Sequence, residues 1–161
     1  MRPVPDPIEL RPLQPAAAGE LLTLQRAAYV TEAQLYDDPR LPALTQTLDQ
    51  LVAELTDSSC TAAYDGPRLV GAVRTREANR TLHIGRLTVV PDLQGLGIGS
   101  RLLTAAEAGT RLPEATLFTG HLSAANLRLY RRHGYAERSR ELLRPGVELV
   151  HLVKSLTAPP R

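Results

Sequence analysis

The 161-residue sequence predicts a mixed α/β (α+β) fold, a mostly antiparallel sheet of about seven strands covered by about four helices. Three features point there. Apolar residues recur at helical spacing in the first third of the chain and in short strand-like runs through the middle. Two tight turns, at 65–67 and 78–80, join three consecutive runs of that kind, which makes an antiparallel meander. An alternating-glycine turn then leads from the third run straight into a helix. The strand after that helix is reached by a crossover, which places it parallel to the strand before the turn.

Residues 1–7 carry three prolines and read as an extended lead-in. Residues 8–11 form a short strand, broken by 12–19. Residues 20–36 make a helix with Leu21, Leu24, Ala28 and Leu35 on one stripe and Leu22, Tyr29, Glu32 and Tyr36 on the next. Prolines and acids make 37–42 a loop, and Leu44, Leu48, Leu51 and Leu55 set the core face of a second helix. Strands 59–64 and 68–74 flank Asp65-Gly66-Pro67, and the long strand 81–90 feeds the glycines. The helix from Ile98 to about Arg111 is closed by Pro113, and 115–119 is the crossover strand. A further helix begins at Ser123 and ends at His133-Gly134, where glycine suits a left-handed cap. Residues 135–143 and 147–156 pair about Arg144-Pro145-Gly146 in a last hairpin, and 157–161 is a tail. No internal repeat appears. The chain reads as one domain, 1–161, with its core in 8–156.

The charge balance, 19 Lys+Arg against 17 Asp+Glu, leaves a net +2 spread along the chain, so nucleic acid is not an expected partner. The lone Cys60 cannot form an internal disulfide and reads as a small buried hydrophobe in a reducing compartment. No signal-peptide pattern or run of 18 apolar residues occurs, so a cytoplasmic protein without a membrane partner is expected. The four histidines lack metal-ligand spacing, and no metal is expected.

Chemistry concentrates at the glycine turn. Glycine permits positive φ and close approach of a ligand to the backbone, and the free N–H groups and dipole of the following helix favour an anion, phosphate above all. A Walker loop would need Lys after a glycine, and the dinucleotide fingerprint fails because Ser100 or Leu102 stands where its last glycine belongs. Gln94-x-x-Gly97-x-Gly99 instead resembles the acyl-CoA pyrophosphate loop of the GNAT superfamily of N-acyltransferases. Asn126-x-x-x-Tyr130-x-x-x-Gly134-Tyr135 resembles that family's second motif, and the order of elements resembles the GNAT fold over nearly the whole chain.

The resemblance implies that strands 81–90 and 115–119 splay apart and that the pantetheine arm lies in the gap, where its amide-like groups need backbone partners. It places the backbone of Val89 and Val90 on pantetheine or on the thioester carbonyl. The main chain of Gln94, Gly95, Leu96, Gly97, Ile98, Gly99 and Ser100 holds the pyrophosphate, with Arg101 nearby, and Asn126 bonds the pantetheine arm or caps its helix. Tyr130 stands where the family commonly has the acid that protonates the leaving thiolate. The base that takes the amine proton is His83, early on the strand feeding the loop, or Glu32. The direction of His83 depends on a bulge at Gly85. The implied activity is transfer of an acetyl group from acetyl-CoA directly to a primary amine, on a small molecule or a peptide, in a ternary complex. A catalytically silent acyl-CoA-binding regulatory module is the alternative. A homodimer is compatible with either. Glu32 and Tyr36 lie on one stripe with Tyr29 alongside, and Asp37 and Asp38 follow directly. This group suits an ammonium and favours a cationic amine over an acidic or hydroxyl acceptor.

Overall fold

The structure, a computed structural model, describes residues 7–157, so the expected lead-in and tail fall outside the described residues except for Pro7 and Thr157. Strand β1 (Glu9–Pro12) is followed by a short 3-10 turn and helix α1 (Ala18–Leu35), then by α2 (Pro42–Thr45) and α3 (Leu48–Thr56). The meander is β2 (Ser59–Asp65), β3 (Arg68–Ala78) and β4 (Thr81–Val89). Helix α4 (Ile98–Ala108), strand β5 (Glu114–Gly120), helix α5 (Ala124–Arg132) and the hairpin β6 (Ala136–Arg144) and β7 (Val147–Ser155) complete the chain. The seven strands form one sheet in the order β1-β2-β3-β4-β5-β7-β6, antiparallel except for β4 beside β5.

The helices pack on the two faces of this sheet. Gly71 of β3 faces α4 so closely that a Cβ there would meet Leu102 Cδ1 at 3.0 Å. Arg74, three residues on and so on the opposite face, donates to Gln25 Oε1 of α1 at 2.7 Å. Between these layers lie Leu21, Leu51, Val70, Val73, Leu102, Leu103, Val150 and Leu152, all fully buried.

One buried polar network fixes α1 against the sheet and the short helices. Gln25 Nε2 donates to the Ala43 carbonyl at 2.9 Å and to Gln46 Oε1 at 3.0 Å, Gln46 Nε2 donates to Glu54 Oε2 at 2.6 Å, and Arg74 Nε stands 3.4 Å from Glu54 Oε1. Burial lowers the pKa of the Arg74 guanidinium, and Glu54 opposes the shift.

The expected single helix over 44–55 is two. Thr47 accepts from the Gln50 backbone while the Gln50 side chain accepts from the Thr47 N–H, a reciprocal cap that starts α3 anew. The break rotates Leu48 outward, leaving it 46% exposed, while Leu51 alone of the expected stripe is fully buried. Leu35 at the end of α1 is likewise exposed. Cys60 is half-buried, and burial pushes its thiol up to about 11.

The central feature is the parting of β4 from β5. They pair only at Thr81↔Glu114, Leu82↔Ala115 and His83↔Thr116. On the other side of β4 the register with β3 shifts between Arg74↔Gly85 and Ala72↔Thr88, so that Arg86 and Leu87 together stand opposite Val73. Arg86 sits there at φ +49°. The bulge therefore falls one residue after the expected Gly85.

Candidate active site

The site opens where β4 leaves β5. Val90 N–H donates to the Val70 carbonyl at 2.9 Å, which makes 70 and 90 a bonded pair. Val89, opposite Gly71, occupies the intervening non-bonded position and turns its own amide away from β3, toward the splayed side. The Val89 carbonyl accepts from Gln94 Nε2 at 3.0 Å. Of the two valines, then, Val89 offers its N–H to the gap and Val90 has its own committed to the sheet.

A 3-10 turn over Pro91–Leu93 follows, then Gly95 at φ +80° and Gly97 at φ +88°. These left-handed conformations are open to glycine at little cost. Gly97 is the N-cap of α4 and brings no side-chain cap. Arg101 N–H is already inside the helix, donating to the Gly97 carbonyl at 3.1 Å. The N–H groups of Ile98, Gly99 and Ser100 are therefore the orphan donors at the positive end of α4, the arrangement that holds phosphate oxygens. Leu96, 61% exposed, rides outside the turn. Arg101 and Ser100 edge a pocket of about 350 Å³ shared with Leu10 and Thr104. The outward Val89 amide and this turn fit a pyrophosphate with an extended, amide-bearing arm.

Helix α5 closes the other side of the gap. Asn126 Nδ2 donates to Thr119 Oγ1 at 3.2 Å, tying the helix to the end of β5. Tyr130 is 6% exposed, and its ring meets Tyr135 edge-on at 6.2 Å. Burial first, then Tyr29 and Glu32, push its phenol well above the ordinary tyrosine value. It is thus a phenol that keeps its proton and can donate it. Among the described residues no hydrogen bond engages its hydroxyl.

Helix α1 crosses the gap from above, with its residues in step with the partners beneath. Gln25 meets Arg74 of β3, the Tyr29 ring lies 5.6 Å from the Arg86 guanidinium of β4, and Glu32 and Tyr36 reach the turn between β5 and α5. There the bonds form a directed chain. Leu122 N–H donates to the Tyr36 hydroxyl at 3.0 Å, Tyr36 to Ser123 Oγ at 2.7 Å, and Ser123 to Glu32 Oε2 at 2.6 Å. The order follows because Ser123 has one proton to give and gives it to the carboxylate. Ser123 was expected to open α5. It supplies no side-chain cap and instead holds Glu32, 91 residues away. Of the remaining acids, Asp38 pairs with Arg144 at 3.5 Å and accepts from Arg40 N–H at 2.9 Å, while Asp37 occupies the left-handed turn after α1.

Tyr29, Glu32, Tyr36 and Tyr130 are thus brought together, and His83 is not among them. The bulge lies beyond His83, which stays in step with Arg76 and Thr116. It lines a separate cavity of about 550 Å³ with Thr116, Phe118, Glu141 and His151, on the sheet face that α1 leaves open. His121 and Glu148 exchange bonds that hold the turn after β5 to β7, a structural role. Among the described residues no group of His, Cys, Asp and Glu could hold a metal, and no helix is long and apolar enough to cross a membrane.

The acetyltransferase (GNAT) domain family model matches residues 37–156. The chain is 27% identical over 132 residues to an uncharacterized N-acetyltransferase, YjcF, of Bacillus subtilis, covering 81% of this chain and 91% of that one. Its fold is similar to that of the PaiA N-acetyltransferase of Thermoplasma acidophilum in complex with coenzyme A, with a TM-score of 0.76 at 18% identity over 93% of this chain and 99% of that chain. It is also similar to YncA, a putative acetyltransferase of Salmonella typhimurium with its cofactor acetyl-CoA, with a TM-score of 0.74 at 15% identity over 97% and 98% of the two chains.

Proposed function

Because this chain belongs to the GNAT acetyltransferase family, we propose that its cleft transfers the acetyl group of acetyl-CoA directly to a primary amine held between α1 and α5. The chain is an acetyl-CoA-dependent acyltransferase. What supports the finer reading is the meeting of Tyr130 and Glu32 at the place where β4 and β5 part.

In that reading the pantetheine arm lies along the outward amide of Val89, the Val89 N–H polarises the thioester carbonyl, and the pyrophosphate rests on the main chain of residues 94–100 with Arg101 beside it. The Asn126 amide spans from Thr119 to the arm. The amine nitrogen bonds to the carbonyl carbon, the C–S bond breaks, and the electron pair leaves on sulfur. Tyr130 gives its proton to that sulfur, and its raised pKa keeps the proton available at neutral pH. An acceptor that arrives as an ammonium sheds its first proton to solvent, and the attacking amine loses its second to Glu32, which the Ser123 and Tyr36 hydroxyls hold in place. His83 is the second base on offer, supported by its place in the cavity of about 550 Å³ on the same sheet face as Arg76. A water chain would have to carry the proton to it. Glu32 also supplies the negative charge that draws an ammonium, with Asp37 and Asp38 further out.

The test is the pair Tyr130→Phe and Glu32→Gln. Loss of the acid lowers kcat by about a hundredfold or more with little change in KM for acetyl-CoA, since the phenol acts on the leaving group alone. Glu32→Gln raises the amine KM and lowers kcat. If both variants keep wild-type kcat and pH dependence, the cleft binds acyl-CoA without these residues acting, and His83→Ala then decides whether the other base operates.

A further inference from the structure

Arg86 is placed at a cost. It is a non-glycine residue at φ +49°, at the bulge of β4, and its guanidinium is turned toward α1, 5.6 Å from the Tyr29 ring. A left-handed conformation is strained for a residue with a Cβ. The conformation brings the charge to the acceptor side of the sheet, next to the buried Arg74, whose own ionisation it disfavours. Among the described residues no carboxylate forms an ion pair with Arg86. Two further groups on this face are short of partners. Thr88, level with Ala72 and so facing α1 as Arg74 does, is 4% exposed, and its Oγ1 has no hydrogen bond. Arg74 Nε is buried without a bond of good geometry, its contact with Glu54 being ion pairing alone. Arg74 has Glu54 as its counter-ion, whereas the half-buried Arg86 guanidinium beside it has none among the described residues and is stabilised by an anion from outside the chain.

The opposite charge is one helical turn away. Glu32 follows Tyr29 at i+3 on α1, so the same stripe presents a cation at Tyr29 and a carboxylate beside Tyr130. We propose that the acceptor is zwitterionic, an amine bearing a carboxylate close to it as in a free α-amino acid, with the carboxylate docked on Arg86 and the amine facing Glu32 and Tyr130. This rests on the reading of that site as the transfer site. It narrows the expected cationic amine to one whose charge is balanced within the same molecule. A polyamine or an aminoglycoside has nothing to give Arg86.

The experiment measures initial rates of acetyl-CoA consumption with the proteinogenic L-amino acids, their primary amides and the amines left by decarboxylation. Wild type, Arg86→Gln and Arg86→Asn are compared, the last because asparagine tolerates the left-handed backbone. A charged hydrogen bond of the usual strength predicts that wild type prefers at least one acid over its amide by about tenfold or more in kcat/KM. Both variants bring that ratio close to one, chiefly through KM for the acid, while KM for acetyl-CoA stays put. Preference for amides or decarboxylated amines, or a ratio that survives both substitutions, overturns the proposal and leaves acetyl transfer intact. Turnover of no amine at all, with CoA still bound, overturns the transfer reading and this inference with it.

Discussion

The Tyr36 phenol lies against the backbone of Gly120, so close that a Cβ built on the glycine overlaps both the hydroxyl and the ring. An eighteen-residue helix is thereby docked onto the end of β5 at a place where only a hydrogen fits. Gly120→Ala should push the ring away, break the bonds to Ser123 and to Leu122 N–H, and leave Glu32 unheld. The expected outcome is a rise of about threefold to tenfold in the amine KM with KM for acetyl-CoA within twofold of wild type, and an overpacking cost of about 1–3 kcal/mol in urea titration. An amine KM that does not move would show that Tyr36 and Ser123 do not position Glu32.

The glycine turn separates two kinds of glycine. A side chain at Gly97 meets nothing within 4 Å, so its cost is the backbone at φ +88°, whereas a Cβ at Gly99 finds Leu129 at 3.6 Å and Val89 at 3.9 Å, ordinary contacts. Gly97→Val should therefore weaken CoA binding by about tenfold or more, and Gly99→Ala by much less. Isothermal calorimetry with CoA reads the order, and equal effects would mean that the turn's conformation does not decide the affinity.

Gln25 carries the join between α1 and the sheet. Replacing it with Leu strips Arg74 of its 2.7 Å acceptor inside the protein, and a loss of about 2–4 kcal/mol is expected from leaving that charge underpaired. Adding Arg74→Met to the same chain should recover much of the loss, because the unpaired charge goes with it. Chemical denaturation of the single and double variants measures the coupling, and simple additivity would count against the network.

Cys60 gives a dependence on pH. Its thiol titrates at about 11 in the fold, against about 8.5 in an unfolded chain. The folded state therefore favours the protonated thiol. The stability this confers is complete below about pH 8.5 and is lost as the pH climbs toward 11. Cys60→Ala should flatten the fall in stability across that window, and iodoacetamide should label native protein far more slowly than denatured protein at pH 8.

The glycine turn, the meander and the final hairpin were legible because each is written in neighbouring residues: Gly95 and Gly97, Asp65-Gly66-Pro67, and Arg144-Pro145-Gly146. The split of α2 from α3 was also written locally, as Thr47-x-x-Gln50, but the leucine spacing overrode it. Glu32 and Tyr130 were singled out by helix stripe and motif. Ser123 was missed as a holder of Glu32, since a bond across 91 residues leaves no periodic trace. Arg86 was missed for a different reason. Nothing in an arginine announces positive φ, and the glycine beside it, Gly85, drew the expected bulge one residue too early.

The extra residue at Arg86 and Leu87 gives β4 two phases in series, each side of the bulge keeping its own count of which residues face which way. Loss of a single codon there would join the two phases. Every residue after it would keep its partner on β3, Val89 still opposite Gly71 with its amide outward, while the one residue left opposite Val73 would share the face of Val73, away from α1. The pleat would become continuous and the core strands would still pair, yet the guanidinium turned toward α1 would be gone. Length, at this one point, is inherited as strictly as any side chain: a lineage can exchange residues around the bulge, but a deletion there should persist only in descendants that no longer use a cation at that place.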